Sequence, residues 1–85
     1  MNLVISPQAR KQLSRLPKNI QSKVRRQFSL LIVNYKHPSL RSKKMSGRDV
    51  FEARVNIHYR FTFQVEKEEI CILTVGSHDE GLGKK

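Results

Sequence analysis

Three charged residues and a histidine in the second half of the sequence are of the types that phosphate binding and proton transfer require. Glu52, Arg54 and Arg60 alternate with apolar residues, and His78 follows the apolar run ICILTV in the segment VGSHDE. A guanidinium group can match two phosphate oxygens at once, and an imidazole exchanges a proton near neutral pH. If the strands pair in register, these side chains lie on one face of a twisted sheet and form a concave polar site.

Each of these residues also has a purely structural interpretation. Arg54 fits the ordinary alternation of a half-exposed strand, and His78 could be hydrogen-bonded to Asp79 or to a carbonyl group. Arg60 could form an exposed ion pair with Glu52, which would contribute only about 0–1 kcal/mol to stability. Glu52 itself could act as a general base or only orient an arginine, and we favour the orienting role.

The elements that would position these residues begin with a strand followed directly by a helix. The run NLVIS is short and β-branched, which favours a strand. Ser6 and Pro7 then match the N-cap and the first residue of a helix. The apolar stripe of this helix consists of Ala9, Leu13 and Leu16. We expect the helix to end at Pro17.

A second, longer amphipathic helix is expected to begin at Pro17 or just after it. Its apolar face consists of Ile20, Val24, Phe28, Leu31 and Tyr35. The members of this stripe follow one another at helical spacing. Two successive helices of this kind predict a helical hairpin whose apolar stripes need a sheet to cover them.

The predicted sheet follows a basic segment, KHPSLRSKKMSGRD, which has turn-forming residues and no regular spacing, so we expect a loop. Two alternating runs come next. Their apolar side consists of Phe51, Ala53 and Val55 in the first run and Tyr59, Phe61, Phe63 and Val65 in the second. The last run, residues 70–75, is apolar except for Thr74, which predicts a central strand covered on both faces. The predicted order is β-α-α-β-β-β.

Composition and charge limit the classes of function. The 85 residues, of which 38% are hydrophobic, predict a single domain over residues 1–85. The formal net charge is +10, and no acidic residue precedes Asp49. The N-terminal half thus carries basic residues and no acidic ones. This favours binding to a polyanionic or acidic partner over a charged surface that serves solubility alone.

Cysteine usage and hydropathy suggest a cytoplasmic protein. Cys71 is the only cysteine, which excludes an internal disulfide. No apolar run approaches the roughly 20 residues of a membrane span, and the first residues do not resemble a secretory signal. The histidines are too far apart in sequence for a compact metal-binding motif, so no metal site is expected.

The run VFEARVNIHYRFTFQVEKEEICILTVGSHDE resembles the RelE/ParE superfamily of toxins from bacterial and archaeal toxin–antitoxin operons. Members of this superfamily carry a strand that ends in arginine, a Tyr-Arg strand and a terminal Val-Gly-x-His/Arg strand. The beginning SPQARKQLSRLPKNI and the basic linker KKMSG extend the resemblance over nearly the whole chain. It implies an α+β fold in which a helical hairpin packs on a small, twisted, mainly antiparallel sheet.

The same resemblance implies a function, since many RelE-type members cut mRNA in the ribosomal A site without a metal. The ribose 2′-OH attacks the adjacent phosphate, so the protein must orient groups, move protons and stabilise negative charge. No cofactor and no membrane are implied. The expected partners are mRNA, the ribosome and a cognate antitoxin with an acidic, partly disordered segment.

The resemblance to the superfamily also implies roles for individual residues of this sequence, according to their positions. Arg60 matches the Tyr-Arg position and would stabilise charge on the scissile phosphate. Arg54 falls where members place a basic residue that binds phosphate or supports proton transfer, and His78 matches the residue beyond the glycine, where it would transfer a proton. Glu52 completes the expected catalytic set. The expected RNA-binding residues are Arg41, Lys43, Lys44 and Arg48.

The tail GLGKK departs from this pattern, because ribosome-dependent members often carry an aromatic residue there that stacks on a base. Reduced or lost activity is therefore one alternative. Another is a ParE-like protein that inhibits DNA gyrase by binding it, which should tolerate loss of His78. A basic nucleic-acid-binding module ranks last, because it gives no reason for the VGSHDE ending.

Overall fold

A single sheet with two helices packed on one side makes up the computed structural model, which describes residues 2–45 and 49–77. The elements in chain order are β1 (Asn2–Ile5), α1 (Pro7–Ser14), α2 (Lys18–Val33), a 3₁₀ helix (Pro38–Leu40), β2 (Lys43–Lys44), β3 (Val50–Arg54), β4 (Tyr59–Glu66) and β5 (Glu69–Ser77). In these residue ranges no helix is long and apolar enough to cross a membrane.

The strand order β1-β5-β4-β3-β2 places the last strand inside the sheet. All neighbours are antiparallel except β1 and β5, which run parallel. The predicted α+β fold, a helical hairpin on a mainly antiparallel sheet, is confirmed. The basic segment predicted as a loop differs in detail, since it contains the 3₁₀ helix and the edge strand β2. Elements this short show no sequence period.

Helix α1 begins as the sequence predicts. The Ser6 hydroxyl accepts a hydrogen bond from the Ala9 N–H at 3.0 Å, and Pro7 is the first helical residue. The helix ends earlier than expected, at Ser14 rather than at Pro17. The intervening turn is closed by the Leu16 N–H, which donates to the Leu13 carbonyl.

Helix α2 begins directly after Pro17 and buries the predicted stripe of Ile20, Val24, Phe28 and Leu31. Tyr35, predicted on the same stripe, lies beyond the helix end, and its ring packs against Phe51 at 5.7 Å between centroids. The core lies between α1, α2 and the sheet. Its largest fully buried side chains include Phe61 and Phe63.

Strand β5 contains a β-bulge at its centre. Thr62 pairs with Thr74 whereas Phe63 pairs with Ile72, so Leu73 is an extra residue. The N-cap and a side chain of α1 satisfy backbone groups there. The Ser6 hydroxyl donates to the Leu73 carbonyl at 3.0 Å, and the Gln12 side-chain oxygen accepts from the Val75 N–H at 2.8 Å.

The bulge changes which β5 side chains face the helices. Ile72 and Val75 both lie in the core although they are three positions apart, and Thr74 faces the opposite side, where its hydroxyl lies 2.6 Å from that of Thr62. The prediction that this strand is covered on both faces was wrong. Cys71 is only partly buried, and its neighbour Val4 is 41% exposed.

Candidate functional site

Strands β3 and β4 place three of the predicted site residues on the face of the sheet that carries no helix, which we call the open face. Phe51, Ala53, Phe61 and Phe63 contribute to the core on the helix side. Their neighbours Glu52, Arg54 and Arg60 therefore point the other way. Arg54 and Arg60 are direct cross-strand partners. The predicted shared face of these three residues is confirmed.

A depression of about 160 Å³ on the open face gathers five of the predicted residues. Its lining consists of Arg41, Lys43, Glu52, Arg54 and Arg60. Four cationic side chains surround one carboxylate, so the depression favours anions. We call it the open-face depression.

Glu52 is a buried carboxylate in this basic surrounding. The residue is 6% exposed, and its Oε1 lies 4.0 Å from the Lys43 ammonium nitrogen. Its Oε2 is buried and has no hydrogen-bond partner among the described residues. In the same ranges no arginine forms an ion pair with Glu52. The pairing of Glu52 with an arginine, considered from sequence, is therefore not what the structure shows.

Arg60 is held by the turn between β3 and β4. One guanidinium nitrogen, Nη1, donates to the Asn56 carbonyl at 2.7 Å and to the Tyr59 carbonyl at 3.2 Å. The Asn56 side-chain oxygen in turn accepts from the His58 and Tyr59 N–H groups at 2.8 and 2.9 Å, which fixes the turn. Asn56 thus positions Arg60. Asn56 is not among the site residues predicted from sequence.

Arg54 supplies an unsatisfied donor. Its Nε is buried and has no hydrogen-bond partner among the described residues. Its carbonyl accepts from the Gln27 side chain at 2.8 Å, which ties this end of β3 to α2. Like charges directly opposite each other in a sheet are destabilising. An anion bound between Arg54 and Arg60 would offset that repulsion and satisfy the free donor.

The basic linker divides between the two sides of the sheet. Lys43 pairs in register with Glu52 and joins the open-face depression, whereas Lys44 pairs with Phe51 on the helix side and lies 3.5 Å from the Asp49 carboxylate. Arg41 ends the 3₁₀ helix with φ 48° and ψ 40°, a left-handed conformation that is uncommon for a residue other than glycine.

Two predicted residues, Arg48 and His78, lie outside the described residues. Their expected roles in RNA binding and proton transfer therefore stay predictions. Within the described ranges, no three His, Cys, Asp or Glu side chains come together in a group that could hold a metal ion.

Comparison with models of known protein families identifies one family that matches this chain. Residues 3–82 match the sequence model of the ParE toxin of type II toxin–antitoxin system, parDE. None of the curated proteins matches the chain.

Comparison with solved structures gives the same fold. The YoeB/ParE toxin from Agrobacterium tumefaciens superposes with a TM-score of 0.81 at 13% identity, covering 92% of this chain and 99% of that one. The DinJ–YafQ toxin–antitoxin complex of E. coli gives 0.78 at 16% identity and 93% coverage of each chain. The archaeal RelE–RelB complex from Pyrococcus horikoshii OT3 gives 0.67 at 24% identity, covering 89% and 92%. At these identities the likeness shows a shared fold.

Proposed function

Because this chain belongs to the ParE toxin family of type II toxin–antitoxin systems, we propose that it is a toxin that cleaves mRNA, in association with the ribosome and without a metal. One observation carries the proposal. In the open-face depression, two buried atoms have no hydrogen-bond partner among the described residues: the acceptor Glu52 Oε2 and the donor Arg54 Nε. A ribose hydroxyl and the adjacent phosphate supply those two missing partners.

The proposed reaction is attack of the 2′-OH on the neighbouring phosphorus. A bond forms between O2′ and phosphorus while the bond from phosphorus to O5′ breaks, giving a 2′,3′-cyclic phosphate and a 5′-hydroxyl end. Glu52 Oε2 takes the proton of the 2′-OH, a role that its unpartnered oxygen supports better than the orienting role favoured from sequence. His78 delivers a proton to the departing O5′.

The arginines bind the phosphate and stabilise its added charge. Arg60 is held in place through Nη1 alone among the described contacts, which leaves the other nitrogens of its guanidinium for phosphate oxygens. Such preorganisation matters, because donors that are already aimed need no rearrangement when charge develops. Arg41, Lys43 and Arg48 would bind the flanking phosphates, whereas Lys44 lies on the helix side of the sheet beside Asp49.

The proposed partner that restrains this toxin is an antitoxin with an acidic, partly disordered segment. The solved relatives include complexes of YafQ with DinJ and of RelE with RelB. The net charge of +10 provides the complementary surface here. A segment that covers the open-face depression would exclude RNA from it. We further propose that the protein acts in the cytoplasm, where its ribosomal target lies.

The test is tightly repressed expression in bacteria of the wild type and of single variants, with primer extension on a reporter mRNA. We expect new 5′ ends inside codons for the wild type and none for Arg60→Ala or His78→Ala. Arg10→Ala, an exposed arginine on α1, is the matched control and should keep the cuts. Purified toxin that has been treated with EDTA and then freed of it should cut mRNA on ribosomes as well as untreated toxin does, which checks metal independence. Growth arrest with intact mRNA would contradict the proposal.

The second candidate is inhibition of DNA gyrase by protein binding. The family match favours it, since the matched family is named for the ParE toxin, and the tail without an aromatic residue agrees with it. A gyrase supercoiling assay separates the two functions. Inhibition that survives His78→Ala, together with intact mRNA, would establish the gyrase function in place of the nuclease.

A further inference from the structure

A second basic cleft lies on the helix side, between α2, the 3₁₀ helix and the end of β3. Its volume is about 490 Å³, within the range of small-molecule sites. The polar lining includes Lys23, Arg26 and His37, and the apolar lining is Leu30 and Val55. We call it the helix cleft. Sequence analysis did not predict it.

The charged groups of the helix cleft are all potential donors. Lys23 and Arg26 are exposed and sit one turn apart on α2. Neither forms an ion pair within the described residues. His37 Nδ1 accepts from the Ser39 N–H at 3.1 Å, so a neutral His37 carries its proton on Nε2 and can donate from there. The cleft therefore offers donors and positive charge to an anion, and none of the described residues that line it is acidic.

The apolar lining adds a second kind of contact. Leu30 and Val55 are both partly buried and pack against the core. A ligand that fits the whole cleft must carry negative charge on one side and a less polar surface on the other. A nucleotide has this character, because its phosphate is charged and its base has an apolar face.

The helix cleft and the open-face depression share a wall. Gln27, which lines the cleft, donates to the carbonyl of Arg54, which lines the depression, at 2.8 Å. The segment 37–41 also joins them, since His37 lies in the cleft and Arg41 in the depression. Two basic sites that adjoin in this way suit one extended polyanion, with a charge at every unit.

We propose that the helix cleft is a second nucleotide subsite, which binds a nucleotide of the same single RNA strand that is cleaved in the open-face depression. This inference rests on the proposed nuclease function and extends it. An acidic peptide is the competing ligand. The observations favour RNA, because the two sites adjoin at the end of β3 and because the cleft combines phosphate donors with apolar lining.

The test is binding of a fluorescent 12-nucleotide RNA by the purified full chain, followed by fluorescence anisotropy at several salt concentrations. Its riboses carry 2′-O-methyl groups so that it is bound but not cut. The variant is Lys23→Gln with Arg26→Gln, and the matched control is Arg10→Gln with Lys11→Gln, which removes equal charge from α1. Thermal unfolding verifies that both variants are folded, as exposed positions should permit.

For the cleft variant we expect the slope of log Kd against log salt to fall in magnitude by about 1.4, from two lost phosphate contacts at about 0.7 each on a single strand. The control should change the slope by less than half as much. A single nucleotide, which cannot occupy both sites at once, should show a smaller difference between the two variants. This length dependence distinguishes a subsite from a general loss of positive charge.

Several results would overturn the inference. If the cleft variant has the same salt slope as the wild type while the wild type still cleaves mRNA, the subsite is ruled out and the nuclease function is retained. Weaker binding of a 12-residue polyglutamate peptide without weaker RNA binding would assign the cleft to a protein partner. A wild type that neither binds nor cuts RNA but inhibits gyrase would overturn the proposed function, and the subsite with it.

Discussion

The two faces of strands β3 and β4 differ in how completely their side chains are satisfied. On the helix side, Phe51 and Phe63 stack at 5.4 Å between centroids, and Phe61 meets Phe28 edge-on at 5.1 Å. On the open face Glu52 is 6% exposed, close to the 5% of Phe28, yet one of its oxygens has no partner among the described residues. Burial alone therefore does not distinguish a stabilising face from a functional one.

The difference indicates that the helix side must stabilise the open face. Burial of each large apolar side chain contributes roughly 1.5–3 kcal/mol. Each buried polar group without a partner costs about 1–3 kcal/mol. The aromatic cluster therefore holds Glu52 and Arg54 in positions that they would not occupy on their own account, and unsatisfied groups of this kind are typical of functional sites.

The largest effect is expected from a substitution in the core, on the helix side of the sheet. Phe61→Ala should lower the free energy of unfolding by about 3–5 kcal/mol, because it leaves a cavity under α2. Urea denaturation measures the change. Ile57→Ala, at a position that is 69% exposed, serves as the control and should stay within about 0.5 kcal/mol. Similar costs for the two variants would show that the aromatic cluster does not carry the stability.

A substitution on the open face should instead lower the activity and leave the stability unchanged. Arg60→Lys keeps the charge but loses the guanidinium fork. We expect the cleavage rate to fall by about 10²–10³-fold, a barrier increase of roughly 2.7–4 kcal/mol. Single-turnover cleavage of a reporter mRNA with ribosomes measures the rate. Full activity of Arg60→Lys would mean that charge suffices and that the fork held by the turn has no role.

Removal of the unsatisfied donor on the open face tests whether Arg54 serves the site or the fold. Arg54→Met deletes the buried Nε and the repulsion with Arg60, so we expect unfolding to require about 1–2 kcal/mol more free energy while cleavage is lost. Inorganic phosphate should raise the melting temperature of the wild type, by binding the folded state, and should not raise that of the variant. Destabilisation by Arg54→Met would show that Arg54 serves the fold.

The smallest effect concerns the turn that positions Arg60. Asn56→Ala removes the side-chain acceptor, at a cost of about 0.5–1.5 kcal/mol in stability. A positioning role also predicts weaker phosphate affinity, measured as a smaller phosphate-induced rise in melting temperature. Asn56→Asp keeps the acceptor and should restore the turn. Reduced stability with unchanged phosphate affinity would limit Asn56 to a structural role.

The parts of the fold that follow local rules could be predicted from sequence. The Ser6 cap, the stripe of α2 and the alternation of β3 and β4 each depend on neighbours within a few residues. The bulge in β5 could not be predicted, because it depends on the N-cap Ser6 and on Gln12 of α1, which satisfy the backbone at Leu73 and Val75. The run therefore suggested an ordinary strand covered on both sides.

The same distinction applies to the site. Glu52, Arg54 and Arg60 share a face because the strand period is two, and the resemblance to a toxin superfamily marked them out. Their surroundings come from distant elements. The helix cleft joins α2 to the segment after it and to β3, and its only sequence signal is the one-turn spacing of Lys23 and Arg26.

The parallel pairing of β1 with β5 has a consequence for how the chain is made. Ser6, at the end of β1, bonds to Leu73, 67 residues away. During synthesis β1 and α1 emerge first, but β1 cannot pair until residues 69–77 have been translated, and contacts this distant in sequence form late. The nascent protein therefore lacks an interior strand of its sheet until residues 69–77 have been made, and a member of a toxin family stays incomplete until then.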